Sequence, residues 1–477
     1  MTVATLTLVR PDRRGISLPI LVLAYGTLFA FTAALGAIGQ SVSRPLFVIG
    51  CVGLGYLGWR AGPGRHVQVA TWLFVFSPLL RRIVDQGCGF DESGLMLAGP
   101  LLALLVPCGD LRRFRQGAAS QYAAHILFAA CVAYAALIAA FGGAIMELRG
   151  PLLKMVAPLL YGVWAQERVA EGEDLLGPLA RAFAWVTPIM GVYAIWQYSH
   201  PPEWDRIWMV LSRMDSIGKP HAYEVRAFST MNSPASFATF GACGLLLFGF
   251  RSRRWWGVLL ALPVAVGLYL SLYRTAWLAL IFGVLFCVIY PATRRRSVLV
   301  GLMLFGAAII ALGSTEFGSE LAQRFDTLGS LSSDGSLAAR MDQFRSFYAR
   351  AGDFVFGQGL VAISDVNSNP IGVLDGTMMQ MFVGMGLFVG SICISSLFLA
   401  MFRAMSRIGL RSEAGLVVAG AVVLGEIVQM PFASITDGEL GFLFWVMVGI
   451  ASAREPLRLA MHGASPRSYA PRATASV

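Results

Sequence analysis

Residues 255–290 read WWGVLLALPVAVGLYLSLYRTAWLALIFGVLFCVIY, and Arg274 is the one charged side chain in that length. A helix needs about 20 predominantly apolar residues to cross the hydrocarbon core of a bilayer. The stretch is therefore long enough for two crossings, with a turn near Tyr273-Arg274. An Arg held inside a membrane costs roughly 2.5–3.5 kcal/mol even on the forgiving insertion scale, so it needs a partner or a polar cavity. At the tip of a helical hairpin, Arg274 reads equally as a turn-capping residue and as a functional one.

Similar apolar blocks recur on both sides of this one. They fall at about 16–37, 45–58, 67–80, 94–108, 121–142, 151–165, 177–197, 234–250, 255–272, 274–290, 297–313, 377–402, 414–432 and 438–451. The chain is 56% hydrophobic and 13% charged. An ordinary soluble domain carries about 25% charged residues, so too few polar side chains are present to cover a soluble fold. The expectation is an all-α polytopic membrane protein with about 12–14 transmembrane helices. Its parts are N-terminal helices over 1–197, a long loop over 198–233, central helices over 234–313, a second long loop over 314–376, C-terminal helices over 377–451 and a tail over 452–477.

The net charge of +10 does not point to nucleic acid. Only Lys154 and Lys219 are lysines, and the arginines cluster between apolar blocks, as at Arg112, Arg113 and Arg115 or Arg294 to Arg296. Basic short loops stay on the cytoplasmic side during insertion. With fourteen spans, that rule puts both termini inside and both long loops outside. Six of the seven cysteines lie in or at the end of apolar blocks, so no disulfide framework is expected, and no Cys/His cluster suggests a metal. The acidic run Glu167, Glu171, Glu173, Asp174 reads as a solvated loop.

The two long loops carry more than linker composition. The first holds Trp204, Trp208, His221 and Tyr223. The second contains LAARMDQFRSFYAR, with Leu337, Met341, Phe344 and Tyr348 at helical spacing, which predicts a surface helix. In VRAFSTMNSPASFATF (225–240), Arg226 stands at the entry to a span, where it reads as an interfacial anchor or as a planar donor fork for phosphate oxygens. Asn232 before Ser233-Pro234 reads as a helix start. Asp375, directly before a hydrophobic block, reads as a helix N-cap or as a general base for a sugar hydroxyl. Arg340 and Arg345 face phosphate or solvent, His221 is a weaker candidate, and Glu426 sits inside a span without a partner that the sequence names.

Three segments, taken in order, resemble the O-antigen ligase and Wzy-type polymerase superfamily of membrane glycosyltransferases. They are Arg226 with Asn232-Ser233-Pro234, then Ser271-Leu272-Tyr273-Arg274, then Asp375-Gly376 leading to Gly384-x-Gly386. The resemblance covers about residues 220–395. In the N-terminal half it is confined to hydropathy and to SPLLRRIVDQ. It implies a GT-C-like fold in a bacterial inner membrane and a reaction at that membrane's outer face. There an acceptor hydroxyl attacks the anomeric carbon of a sugar chain carried on undecaprenyl diphosphate, with no cofactor and no required metal. In that scheme Arg226 and Arg274 hold the leaving diphosphate, Asp375 is the base, and Asn232, Arg340, Arg345 and His221 bind substrate. Expected partners are the lipid-linked oligosaccharide, membrane lipids, a flippase, and chain-length or export proteins. Asp375-Gly376 looks more like the exopolysaccharide polymerase branch than like the ligases, which have His-Asn there. The ligase remains the near rival, and a lipid-linked oligosaccharide flippase or transporter the rival from another class.

Overall fold

The structure, a computed structural model, describes residues 16–111, 114, 119–251, 256–313, 335–364, 371, 372, 374 and 376–453. Within these the chain is all α, with a single antiparallel bridge between Gly218 and Val225 and no strand. The helices are α1 (Leu18–Ala37), α2 (Ser43–Ala61), α3 (Pro63–Cys88), α4 (Leu95–Leu105), α5 (Ala123–Phe141), α6 (Arg149–Ala170), α7 (Leu176–Ser199) and α8 (Glu203–Leu211). They continue with α9 (Pro234–Arg251), α10 (Trp256–Leu270), α11 (Arg274–Ile289), α12 (Pro291–Leu312), α13 (Gly335–Ala349), α14 (Thr377–Met405), α15 (Ala414–Gln429) and α16 (Gly438–Ser452). Each apolar block of the sequence lies on one of them. Five helices, namely α1, α3, α7, α14 and the one ending at Phe141, are long and apolar enough to cross a membrane; α4, α9, α10, α11, α15 and α16 contain shorter apolar stretches.

Burial divides the helices into an interior and a shell. From Leu440 onward every residue of α16 is buried, against α6 and α15 among others. Large apolar side chains of the shell face outward instead, including Ile38, Phe141, Trp185 and Phe388. A soluble monomer does not tolerate so much exposed apolar surface, whereas lipid accepts it.

Helix α3 carries the charge cluster of SPLLRRIVDQ, and all of it is buried. Arg81 pairs with Asp85 at 3.3 Å, and Asp85 with Arg44 at 2.9 Å. Arg82 pairs with Asp205 of α8 at 2.8 Å, with both side chains at 0% exposure. The other Asp205 oxygen accepts hydrogen bonds from Gln197 Nε2 at 2.6 Å and Tyr193 Oη at 3.0 Å. Arg82 also donates to the carbonyl of Ser229 at 2.6 Å and lies over the Phe228 ring. The guanidinium of Arg81 stands 4.8 Å over Trp208. The 198–233 segment is thus a folded cap bolted to α3.

Helix α14 is broken at Gly386, whose φ of 85° and ψ of 169° are not helical. A Cβ there would stand 2.6 Å from the Phe356 carbonyl carbon, so only glycine fits. The carbonyls of Val383 and Gly384 instead accept the N–H groups of Gln358 and Gly359 at 2.8 and 2.9 Å.

Two expectations change. The surface helix in the second loop forms as α13, but among its described side chains the buried one is Phe347, stacked on Phe354 and Phe382. Met341 and Tyr348 are exposed, because the aromatic cluster behind α13 lies under positions 344 and 347. Glu167 is not solvated: it is fully buried, accepting the Phe114 N–H at 2.7 Å beside Arg168. All seven cysteines are free thiols. The N-terminal segment 1–15 and the tail 454–477, expected on the inner face, lie outside the described residues.

Breaking a buried ion pair by removing one partner typically costs about 3–5 kcal/mol. Asp205→Asn is therefore expected to lower the thermal midpoint of the detergent-solubilised protein clearly. Lys219→Ala, which removes the exposed pair with Glu224, should leave it unmoved within about 0.5 kcal/mol.

Candidate functional site

Four separated segments converge on one cavity of about 820 Å³. The first is the end of the α7–α9 connection. Ala227 N–H donates to the Leu270 carbonyl at 3.0 Å, which brings Arg226 and Asn232 beside the α10–α11 turn. That turn is the second segment: Ser271 Oγ caps the Leu268 carbonyl at 2.6 Å, Leu272 takes a left-handed φ of 52°, and α11 starts at Arg274. The third is the start of α14. Gly376 has φ 86°, and a Cβ there would meet the Pro431 carbonyl oxygen at 2.2 Å. The fourth, residues 430–437, ties the others together. Its carbonyls at Ala433 and Phe432 accept from Thr377 Oγ1 at 2.9 Å and Tyr273 Oη at 3.3 Å.

Arg226, Asn232, Arg274 and Gly376 all line this cavity, and both arginines are half-buried. Helices α9, α11, α14 and α16 all begin at its wall, at Pro234, Arg274, Thr377 and Gly438. Helix N-termini present the positive end of the macrodipole, although at α14 the Thr377 N–H already donates to the Ala433 carbonyl and at α9 the Ser236 N–H donates to Ser233 Oγ. With two guanidinium groups they make a place for an anion, above all for one with several oxygens. Ser77, Asn232 and Thr275 line the cavity too, and among the described residues their Oγ, Oδ1 and Oγ1 atoms are buried without a hydrogen-bond partner.

Acidic groups occupy the α16 side. Ser236 Oγ donates to Glu439 Oε1 at 2.6 Å, and the Ser434 hydroxyl meets Asp437 Oδ1. Gln380 Oε1 lies 2.7 Å from the same Ser434 hydroxyl. Burial pushes the Asp437 carboxyl up from its ordinary value, against the pull of the Ser434 hydroxyl and of Lys154.

The remaining sequence candidates lie elsewhere. Arg345 is exposed on α13 and pairs with Asp342 at 3.0 Å, because its position faces away from the aromatic cluster that seats the helix. His221 is exposed in a separate shallow groove with Glu203, Arg206 and Pro220. Neither belongs to the cavity. Asp375, expected as base or N-cap, and the side chain of Arg340 lie outside the described residues; Leu374 and Gly376 both line the cavity. Glu426 is 2% exposed beside a small void with Thr239, Cys243 and Gln429, and no arginine lines it.

Ser77, Lys154, Gln380, Ser434, Asp437 and Glu439 are cavity residues that the sequence reading missed. One signal for them existed. Asp437-Gly438 precedes an apolar block just as Asp375-Gly376 does, so the same dipeptide stands twice at a helix entry. No family model, curated protein or solved structure matches the chain.

Cysteines introduced one at a time at Ser233 and Ser434, in a Cys88→Ser/Cys108→Ser background, are expected to react with a membrane-impermeant maleimide from the same face. Reaction from opposite faces would break the shared cavity.

Proposed function

We propose that the protein is a membrane glycosyltransferase that polymerises oligosaccharide repeat units carried on a polyprenyl diphosphate. The observation that carries this reading is the meeting of Arg226, Arg274 and four helix N-termini at one cavity. A diphosphate leaving group is the most demanding part of such a reaction, since negative charge collects on it as the glycosidic C–O bond breaks. Fixed donors aimed at developing charge are the most effective stabilisers an active site can offer. Their arrangement here suits a multi-oxygen anion better than a single carboxylate.

In this reading the acceptor hydroxyl oxygen forms a bond to the anomeric carbon while the bond to the diphosphate oxygen breaks. The electron pair leaves with the lipid diphosphate, and the hydroxyl proton goes to a carboxylate base. Asp375, between two cavity-lining neighbours, is proposed for that base, and Asn232 and Thr275 for contacts to the donor. The cavity volume lies within the usual range of about 300–1,000 Å³ for small-molecule sites, enough for a few sugar rings. The bulk of both chains then lies outside it.

Deleting the gene in its host and analysing lipid-linked saccharides by mass spectrometry on each membrane face tests the reading. Single repeat units on the outer face are expected. Long lipid-linked chains without an acceptor would mean a ligase, and single units trapped on the inner face a flippase. In complementation, Arg226→Ala and Arg274→Ala are each expected to cut polymer by about 100-fold or more while leaving protein in the membrane. Asp375→Asn is expected to do the same; normal polymer from it would return Asp375 to an N-cap.

A further inference from the structure

The cavity lining changes character around the start of α16, where it is acidic. Ser77 on α3, Lys154 on α6, and Asp437 and Glu439 at the start of α16 all line the cavity. Each carboxylate is fixed by a serine hydroxyl through one oxygen, Glu439 by Ser236 and Asp437 by Ser434. Ser77 is 1% exposed, and its Oγ has no partner among the described residues. A buried hydroxyl left unpaired bears its full desolvation cost, which a turn of the Ser77 side chain toward a polar ligand in the cavity would remove. Phe74, Pro100 and Leu101 also line the cavity and supply apolar surface for the C–H face of a ring.

This chemistry fits a hydroxyl-rich, uncharged molecule. Carboxylates accept hydrogen bonds from hydroxyl groups, an ammonium donates to ring or hydroxyl oxygens, and Ser77 can do either. A diphosphate on this side would face two carboxylates against one ammonium, so the anion belongs on the arginine side. The same net negative charge would repel a sugar carrying a carboxylate.

We propose that Ser77, Lys154, Asp437 and Glu439 form the acceptor subsite, binding the hydroxyl groups of an uncharged terminal sugar and rejecting an acidic one. The proposal rests on the glycosyltransferase reading above and adds to it the class of acceptor. It also gives Asp437 and Glu439 a binding role distinct from that of the base.

The test uses the full-length protein in lipid nanodiscs, with lipid-linked saccharide purified from the deletion host as saturating donor. The acceptor is an oligosaccharide cut from the host polymer, offered intact or with its terminal primary hydroxyl oxidised to a carboxylate. The wild type is expected to favour the intact acceptor by about tenfold or more in kcat/KM. Asp437→Asn and Glu439→Gln should each raise the acceptor KM about tenfold, with kcat and donor KM within about threefold. Both should also narrow the preference for the intact acceptor.

Equal use of the two acceptors by the wild type overturns the proposal, whether or not the variants fold. So does an unchanged acceptor KM in both variants, or a host polymer whose terminal acceptor sugar is itself a uronic acid. A wild type that transfers nothing from the lipid-linked donor is a failure of the glycosyltransferase reading instead. The subsite then stands on equilibrium binding of the intact oligosaccharide, lost in Asp437→Asn and Glu439→Gln, and falls if the wild type does not bind it.

Discussion

Arg82 and Asp205 meet at 2.8 Å with no solvent reaching either side chain, one on α3 and the other on the short helix α8. Two opposite charges so deeply buried constrain a structure more than they stabilise it, because neither can leave without stranding the other. Helix α8 therefore has one seat. From the same guanidinium a bond runs to the Ser229 carbonyl, and Gln197 Oε1 accepts the N–H groups of both Phe228 and Ser229. The chain just after Arg226 is thus held by groups from α3 and α7. Ala227 passes the constraint on to Leu270 and so to the turn that carries Arg274.

The cavity owes its two-sided character to where helices begin. Breaking the chain at Ser233, Tyr273, Gly376 and Asp437 lets four helices start at one place, each with its amide end inward. Residues 430–437 make this possible by supplying carbonyls to Thr377 and Tyr273, while Gly376 lets the backbone of α14's first turn lie against Pro431. At the starts of α9 and α11 the cavity lining adds the charge of Arg226 and Arg274. At α16 the positive end is offset by Asp437 and Glu439, and that local difference separates the two walls.

Much of the helical frame was legible because apolar blocks of sufficient length have few other uses. Arg226, Asn232 and Arg274 were legible for a related reason: a charged or amide group at the edge of an apolar run stands out. Arg82 did not, although it lies in a motif that was noticed, because its meaning depends on Asp205, far along the chain in a segment that reads as loop. Asp437 and Glu439 looked like ordinary helix-entry acids, and nothing local separates an N-cap facing solvent from one facing a cavity. Lys154 comes from the N-terminal half outside SPLLRRIVDQ, where only hydropathy was legible, and Ser77 opens that motif but its place at the cavity depends on how α3 packs. Arg345 and His221 show the converse. Their residue types suit phosphate and sugar chemistry, but the packing of α13 on its aromatic cluster and the fold of the 198–233 cap turn them to solvent.

The arginine wall has one property its geometry does not advertise. Peptide dipoles carry no exchangeable charge, and a guanidinium keeps its proton in any medium a cell survives. The positive charge built from them is fixed in place. On the side of α16, burial raises the Asp437 carboxyl above its ordinary value, so a proton there is held more tightly than on a free carboxylate. One cavity thus joins charge set by helix ends and guanidinium groups with a carboxyl whose proton affinity is set by its burial.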